Sequence, residues 1–200
     1  SLVGSEMCIR DRMNTAAGVA TQATNVINQF SMNFQIALHP QITKNYAQQN
    51  YADMHKLIFR SSKFAYFLML IFAVPLFYEA PILLRLWLGN VPEHAVNFMR
   101  IGLFVSMIVA VRNPLVTAAM ANGNVKKFQL IVNGVLLLVC PVLYIVYKVG
   151  GIPESSSIIL LIIMAIATLV SAYLLKDMVY LNYNDFIKQV CVPIAIYTPV

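Results

Sequence analysis

The stretch that decides the fold is Asn14–Leu38, NTAAGVATQATNVINQFSMNFQIAL, 25 residues long without an ionisable side chain. That length suffices to cross a bilayer as a helix, yet the segment is far from greasy. At about 100° per residue, Asn14, Gly18, Thr21, Gln22, Asn25, Asn28 and Gln29 share one face, and Val19, Ala23, Val26, Ile27, Phe30, Phe34 and Ala37 share the other. Unpaired amides facing lipid are costly. The polar face therefore points either to a water-filled or sugar-lined passage or to amides that hydrogen-bond neighbouring helices as packing glue. Both readings stand at this point.

Outward from this stretch, composition fixes the class. Hydrophobic residues make up 60% of the 200-residue chain and charged residues 11%, with a mean hydropathy of +0.72. A water-soluble domain carries about a quarter charged residues, so the reading is an all-α integral membrane protein. About five full spans and a truncated sixth are expected. The net charge of +6 is spread along the chain and reads as membrane topology, not as a nucleic-acid surface. Cys8, Cys140 and Cys191 have neither disulfide nor metal spacing.

Both ends are anomalous. Ser1–Arg12, SLVGSEMCIRDR, resembles translated sequencing-adapter sequence, and residues 1–12 are set apart from the fold; 13–200 read as a partial transmembrane lobe. Phe186–Val200 starts an apolar helix that stops short of a full span. A longer parent protein is expected.

Along the chain, Pro40 is expected to end the first helix. A polar, basic inner-face loop region carrying Lys44, Lys56, Arg60 and Lys63 follows, and the next helix is expected to start within it near Asp53, the expected N-cap. The second span then enters the membrane at Lys63, passes the kink residue Pro75 and emerges at Glu79. Pro81–Gly89 is too short to span and reads as an interfacial amphipathic segment. Further spans are expected over Val96–Met120, Phe128–Tyr147 and Ser157–Leu175. The connections after the first, third and fifth spans hold Lys44, Lys56, Arg60, Lys63, Lys126, Lys127, Lys176 and Lys188. Those after the second and fourth hold Arg85, Arg100 and Lys148. Eight cations against three make the first set cytoplasmic, so the first helix runs from outside to inside.

No catalytic, metal-binding or cofactor-binding motif is present, and the reading is not an enzyme. Arg112 is the most informative single residue. It lies ~18 Å along its helix from Arg100, where an arginine is costly and by default functional. Its fork suits a phosphate, and Asn113-Pro114 beside it can open the backbone locally. The plainer alternative is a side chain that snorkels to the inner leaflet or pairs with a carboxylate outside this sequence. Asp53, Glu79, Glu93, Glu154, Asp177 and Asp185 all fall in loops or at helix ends. That weakens a proton- or sodium-coupled pump, which usually carries a buried carboxylate. The basic loop is read either as topology signal or as a dock for anionic headgroups of membrane lipids or a lipid diphosphate.

The blocks NFQIALHPQITKNYAQQN, LIFRSSKFAYFL, LRLWLGNVPEH and NPLVTAAMANGNVKKFQ, in that order, resemble the bacterial polysaccharide-export flippases of the Wzx type, in the MATE/MOP exporter superfamily. The resemblance runs from about Asn14 to the end and fits the C-terminal lobe. It implies a missing N-terminal lobe, a two-lobe transporter with alternating access, and residence in the bacterial inner membrane. The implied substrate is an oligosaccharide linked through diphosphate to undecaprenol, as in O-antigen and lipopolysaccharide biosynthesis. A glycan polymerase or glycosyltransferases become the expected partners. On this reading Asn14, Gln22, Asn25, Gln29 and Asn113 meet sugar hydroxyls and Arg112 meets the diphosphate. Relatives often carry a basic residue where this chain has Ala17. A multidrug or metabolite antiporter of the same superfamily and a non-transporting membrane scaffold for glycan assembly are the rival readings.

Overall fold

The computed structural model describes residues 18, 21–22, 24–26, 28–29, 32–88, 91, 94–123, 125–150 and 154–197. Described positions from 18 to 36 are helical and form α1. Then come α2 (His39–Ala47), α3 (Tyr51–Tyr78), α4 (Ala80–Leu88), α5 (Ala95–Ala121), α6 (Val125–Leu137), α7 (Val139–Lys148) and α8 (Ser155–Val179). A short helix α9 (Tyr183–Phe186), a π-helical turn (Ile187–Cys191) and α10 (Val192–Tyr197) end the described chain. Among the described residues no strand occurs. Four helical stretches, Tyr51–Tyr78, Ala95–Ala121, Val125–Lys148 and Ser155–Val179, are long and apolar enough to cross a membrane. The chain has the character of an all-α, multi-pass membrane protein. The first expected span falls partly outside the described residues.

The central helix is α5, packed along α3 on one side and α8 on the other. Small side chains make that approach possible. Ala110, Ala118 and Ala119 of α5 and Ala167, Ser171 and Ala172 of α8 are buried, and membrane helices that lack a hydrophobic driving force associate through such close contacts. Helices α6 and α7 pack on α8 from outside. Leu130, Leu137, Leu138, Tyr144 and Ile145 stay exposed there, an apolar surface that suits acyl chains and not water.

Cross-helix hydrogen bonds define the two ends of the bundle. At one end Asn122 donates to the Tyr46 hydroxyl (2.9 Å) and to the Met178 carbonyl (2.6 Å). His55 Nε2 lies 2.8 Å from the Val179 carbonyl. These ties gather α2, the start of α3 and the ends of α5 and α8 over a core that includes Ile42, Met54, Ile58 and Leu175. At the other end the Arg100 Nε–H donates to the Phe77 carbonyl (3.1 Å) with its guanidinium over the Phe77 ring. His94 meets Glu154 there, 2.5 Å apart. Ala80, Leu84, Ala95, Phe98 and Met99 form a smaller core beside them.

Several sequence expectations are corrected. The basic run assigned to a loop is mostly helical: Lys44 lies on α2, while Lys56, Arg60 and Lys63 lie on α3, which starts at Tyr51, close to the start expected near Asp53. Pro40 does break the first helix, with turns at 37 and 38, but its ring then sits in the first turn of α2. Proline is tolerated there because that N–H has no intrahelical acceptor. The N-cap of α3 is Asn50, not Asp53. Asn50 accepts from the Asp53 N–H at 3.4 Å, and its Nδ2 donates to the Asp53 carboxylate at 2.8 Å, so the cap is held by a second, side-chain bond. The expected fourth span, Phe128–Tyr147, lies within the stretch Val125–Lys148, which carries one turn residue at Leu138. Pro141 has no N–H to offer the Leu137 carbonyl and its ring crowds that group, which divides α6 from α7.

Candidate functional site

The lower half of α1 is positioned by a proline in another helix. Pro114, inside α5, has no N–H with which to bond the Ala110 carbonyl four residues back. The amide of Gln35 supplies the missing donor, Nε2 to Ala110 O at 2.9 Å. One step along, the Ser62 hydroxyl donates to the Val111 carbonyl at 3.1 Å. Helices α1, α3 and α5 are thus pinned at one level, where a loosened helix backbone is satisfied by neighbours, as apolar surroundings require.

Higher up, α1 nears α5 at Gly102, where an added Cβ would lie 3.2 Å from the Thr24 methyl. Between these pins α1 stands partly clear of α5 and α8, leaving a cleft of about 230 Å³. Thr21, Thr24, Asn25 and Asn28 line it from α1, Gly102 and Ser106 from α5, and Ser157 from α8, with Phe98, Val105 and Leu160 as its apolar part. None of its lining side chains is ionisable at neutral pH. Thr24 donates its hydroxyl to the Thr21 carbonyl (3.0 Å), so one buried hydroxyl is satisfied within its own helix.

The polar face read from the sequence is therefore only partly turned inward. Thr24 and Gln35 are buried and Asn28 is half-buried, whereas Gly18, Gln22, Asn25 and Gln29 are exposed. Helix α1 docks on the seam between its amide face and its apolar face, and Val26 stands 72% exposed. No side-chain hydrogen bond joins Gln22, Asn25 or Gln29 to another described residue. Asn14 lies outside the described residues.

Asn113 is half-buried and lines a second, smaller cleft of about 190 Å³ under the lower end of α1, with Gln35, His39 and Thr117. Arg112 turns instead toward α8. Its Nη1 lies 3.7 Å from the Met164 sulfur, and its buried Nε has no hydrogen-bond partner. Met164 is one turn beyond Leu160 on α8, so the guanidinium occupies the α5–α8 seam about one to two turns below the neutral cleft. Of the sequence-named residues, Asn25 reaches the neutral cleft, Asn113 the second cleft, and Arg112 the seam; Gln22 and Gln29 line none of these. Sequence reasoning missed Ser106, Ser157 and Gly102, because hydroxyls and glycines scattered through apolar helices carry no motif.

Three residues before Ser157 of the cleft, Glu154 occupies the N-cap position of α8 without a side-chain capping bond into the helix. A hydrogen bond from its own backbone N–H, then others from Asn97 and His94, hold its carboxyl below the usual carboxylate range against a partial desolvation. The tie it makes between α5 and α8 is present above the ordinary carboxylate pKa and is lost as pH falls through the lowered one. No group of three or more metal-ligating side chains occurs among the described residues.

The geometry defines a helical membrane protein with a neutral, hydroxyl- and amide-lined cleft beside its central helix. No protein-family model matches the chain, and no curated protein or solved structure does either.

Proposed function

We propose that this chain is part of a transporter that moves an undecaprenyl-diphosphate-linked oligosaccharide from the cytoplasmic to the periplasmic leaflet of the bacterial inner membrane, for cell-surface polysaccharide synthesis. The observation that carries the reading is the cleft between α1, α5 and α8, which offers hydroxyls and amides and no ionisable group. Sugar hydroxyls both donate and accept, and Asn, Ser and Thr do the same without the desolvation penalty of a buried charge. Arg112, on the same seam and deeper, is half-buried and its enclosed Nε has no hydrogen-bond partner. A diphosphate is the acceptor that a guanidinium fork fits best. The blocks that resemble Wzx-type flippases supply the leaflet direction and the lipid carrier. The cation-rich end of the bundle would be the cytoplasmic one.

The antiporter reading is weaker here. The described carboxylates Asp53, Glu79, Glu154, Asp177 and Asp185 lie between helices or close to helix ends, and none stands near the middle of a span as a coupling site would. The scaffold reading expects amides paired to neighbouring helices, whereas Asn25 has no such partner among the described residues.

The test is glycan delivery in cells that depend on the complete protein. Asn25→Leu with Asn28→Leu, and separately Arg112→Ala, are expected to lower periplasmic delivery by roughly tenfold or more, the loss of about one charge-assisted or two neutral hydrogen bonds. Membrane levels should stay unchanged. Normal delivery by both variants would overturn the reading.

A further inference from the structure

On the outer side of α1 and α3, away from the neutral cleft, runs an open groove of about 570 Å³. Its walls are Phe34 from α1, Leu38 from the turn that follows it, and Phe64 and Phe67 from α3. The Phe34 and Phe64 rings stack with centroids 4.7 Å apart. Arg60 and Lys63 border the same groove, one exposed and the other half-buried, and no carboxylate lies within ion-pair distance of either among the described residues. The two cations precede Phe64 and Phe67 on α3. They therefore stand nearer the end of the bundle fixed by Asn122, and the rings run from them toward the middle of the span.

We infer that this groove binds an anionic glycerophospholipid, with its headgroup phosphate between Arg60 and Lys63 and an acyl chain laid along Phe34, Phe64 and Phe67. Charge and polarity select this occupant together. A phosphate supplies acceptors for both cationic heads at the level where a leaflet's headgroups lie, and an acyl chain covers the exposed Phe64 ring beside the half-buried Phe34 and Phe67. Phe64 is 52% exposed, so the surface the tail would cover is substantial. The site is separate from the neutral cleft, and the inference does not draw on the transport reading.

The experiment is native mass spectrometry of the full-length chain, stripped of lipid in detergent and titrated with phosphatidylglycerol or phosphatidylcholine of matched chains. Phosphatidylglycerol adducts are expected to persist at activation energies that remove phosphatidylcholine. Arg60→Gln with Lys63→Gln should weaken phosphatidylglycerol binding by roughly thirtyfold, as expected for two cations near a headgroup. Lys126→Gln with Lys127→Gln should leave it intact. Phe64→Ala, which deletes an exposed ring, should weaken binding of the long-chain lipid but not of a short-chain analogue. Unchanged helicity by circular dichroism in each variant separates a lost site from a lost fold. Equal retention of the two lipids, or undiminished binding after both cations are neutralised, would overturn the inference. So would displacement of phosphatidylglycerol by an equimolar polyprenyl phosphate, which would assign the groove to a different lipid.

Discussion

At the scale of single residues, the Gln35–Pro114 relation is the most instructive. Proline removes a donor from the middle of α5 and leaves the Ala110 carbonyl to be satisfied from outside, and Gln35 satisfies it. A buried acceptor stripped of its partner costs about 1–3 kcal/mol. Gln35→Leu is therefore expected to destabilise the protein by that amount in reversible unfolding from detergent micelles. In a Pro114→Ala background the new N–H at position 114 takes the Ala110 carbonyl, and Gln35→Leu should then cost markedly less. Equal costs in the two backgrounds would show that the contact does not work this way. From the sequence, Gln35 was one amide among many and Asn113-Pro114 a place where backbone could open. That the two meet is tertiary information, 75 residues apart, and no local spacing encodes it. Arg112 shows the same limit: its cost in a span was legible, but its turn toward Met164 and away from Asn113 depends on how α8 lies against α5.

At the scale of elements, most of the helices were legible because long uncharged apolar runs have few alternatives to a helix in a bilayer. The expected Val96–Met120 and Ser157–Leu175 spans lie within α5 and α8. The failures sit where local chemistry competes with hydropathy. The polar run after Pro40 was read as a loop because it is not apolar, yet Tyr46 and Ile42 give α2 a face to pack on α3 and α5. The Phe128–Tyr147 span was legible and lies within Val125–Lys148, but the turn at Leu138 inside it was not, because hydropathy is blind to the donor that Pro141 lacks. At the start of α3, Asn50 outcompetes Asp53 as cap by standing just outside the first turn and accepting the third N–H. Asn50→Ala is expected to cost about 1 kcal/mol and Asn50→Ser only a fraction of that, measured by the same unfolding assay. Indistinguishable variants would remove Asn50 from its capping role.

At the scale of the whole molecule, the arrangement separates three surfaces around one central helix. Small residues let α3, α5 and α8 close into a core; the exposed faces of α6 and α7 suit lipid; and the border of α1 leaves a neutral cleft beside α5 and α8. The amide face of α1 was visible in the sequence as a periodic pattern. Its division between cleft and open surface was not, because periodicity gives the faces of a helix but not the angle at which it docks.

The central claim is that the cleft holds water inside a protein otherwise surrounded by acyl chains. Thiol labelling tests it directly, using single-cysteine variants of a cysteine-free protein in intact membranes. Asn28→Cys sits in the cleft and half-buried, whereas Leu137→Cys replaces a side chain 69% exposed near the middle of its span. A charged, membrane-impermeant maleimide is expected to label position 28 and spare position 137, although the latter is the more exposed. Labelling at 137 with none at 28, or equal rates at both, would contradict the account.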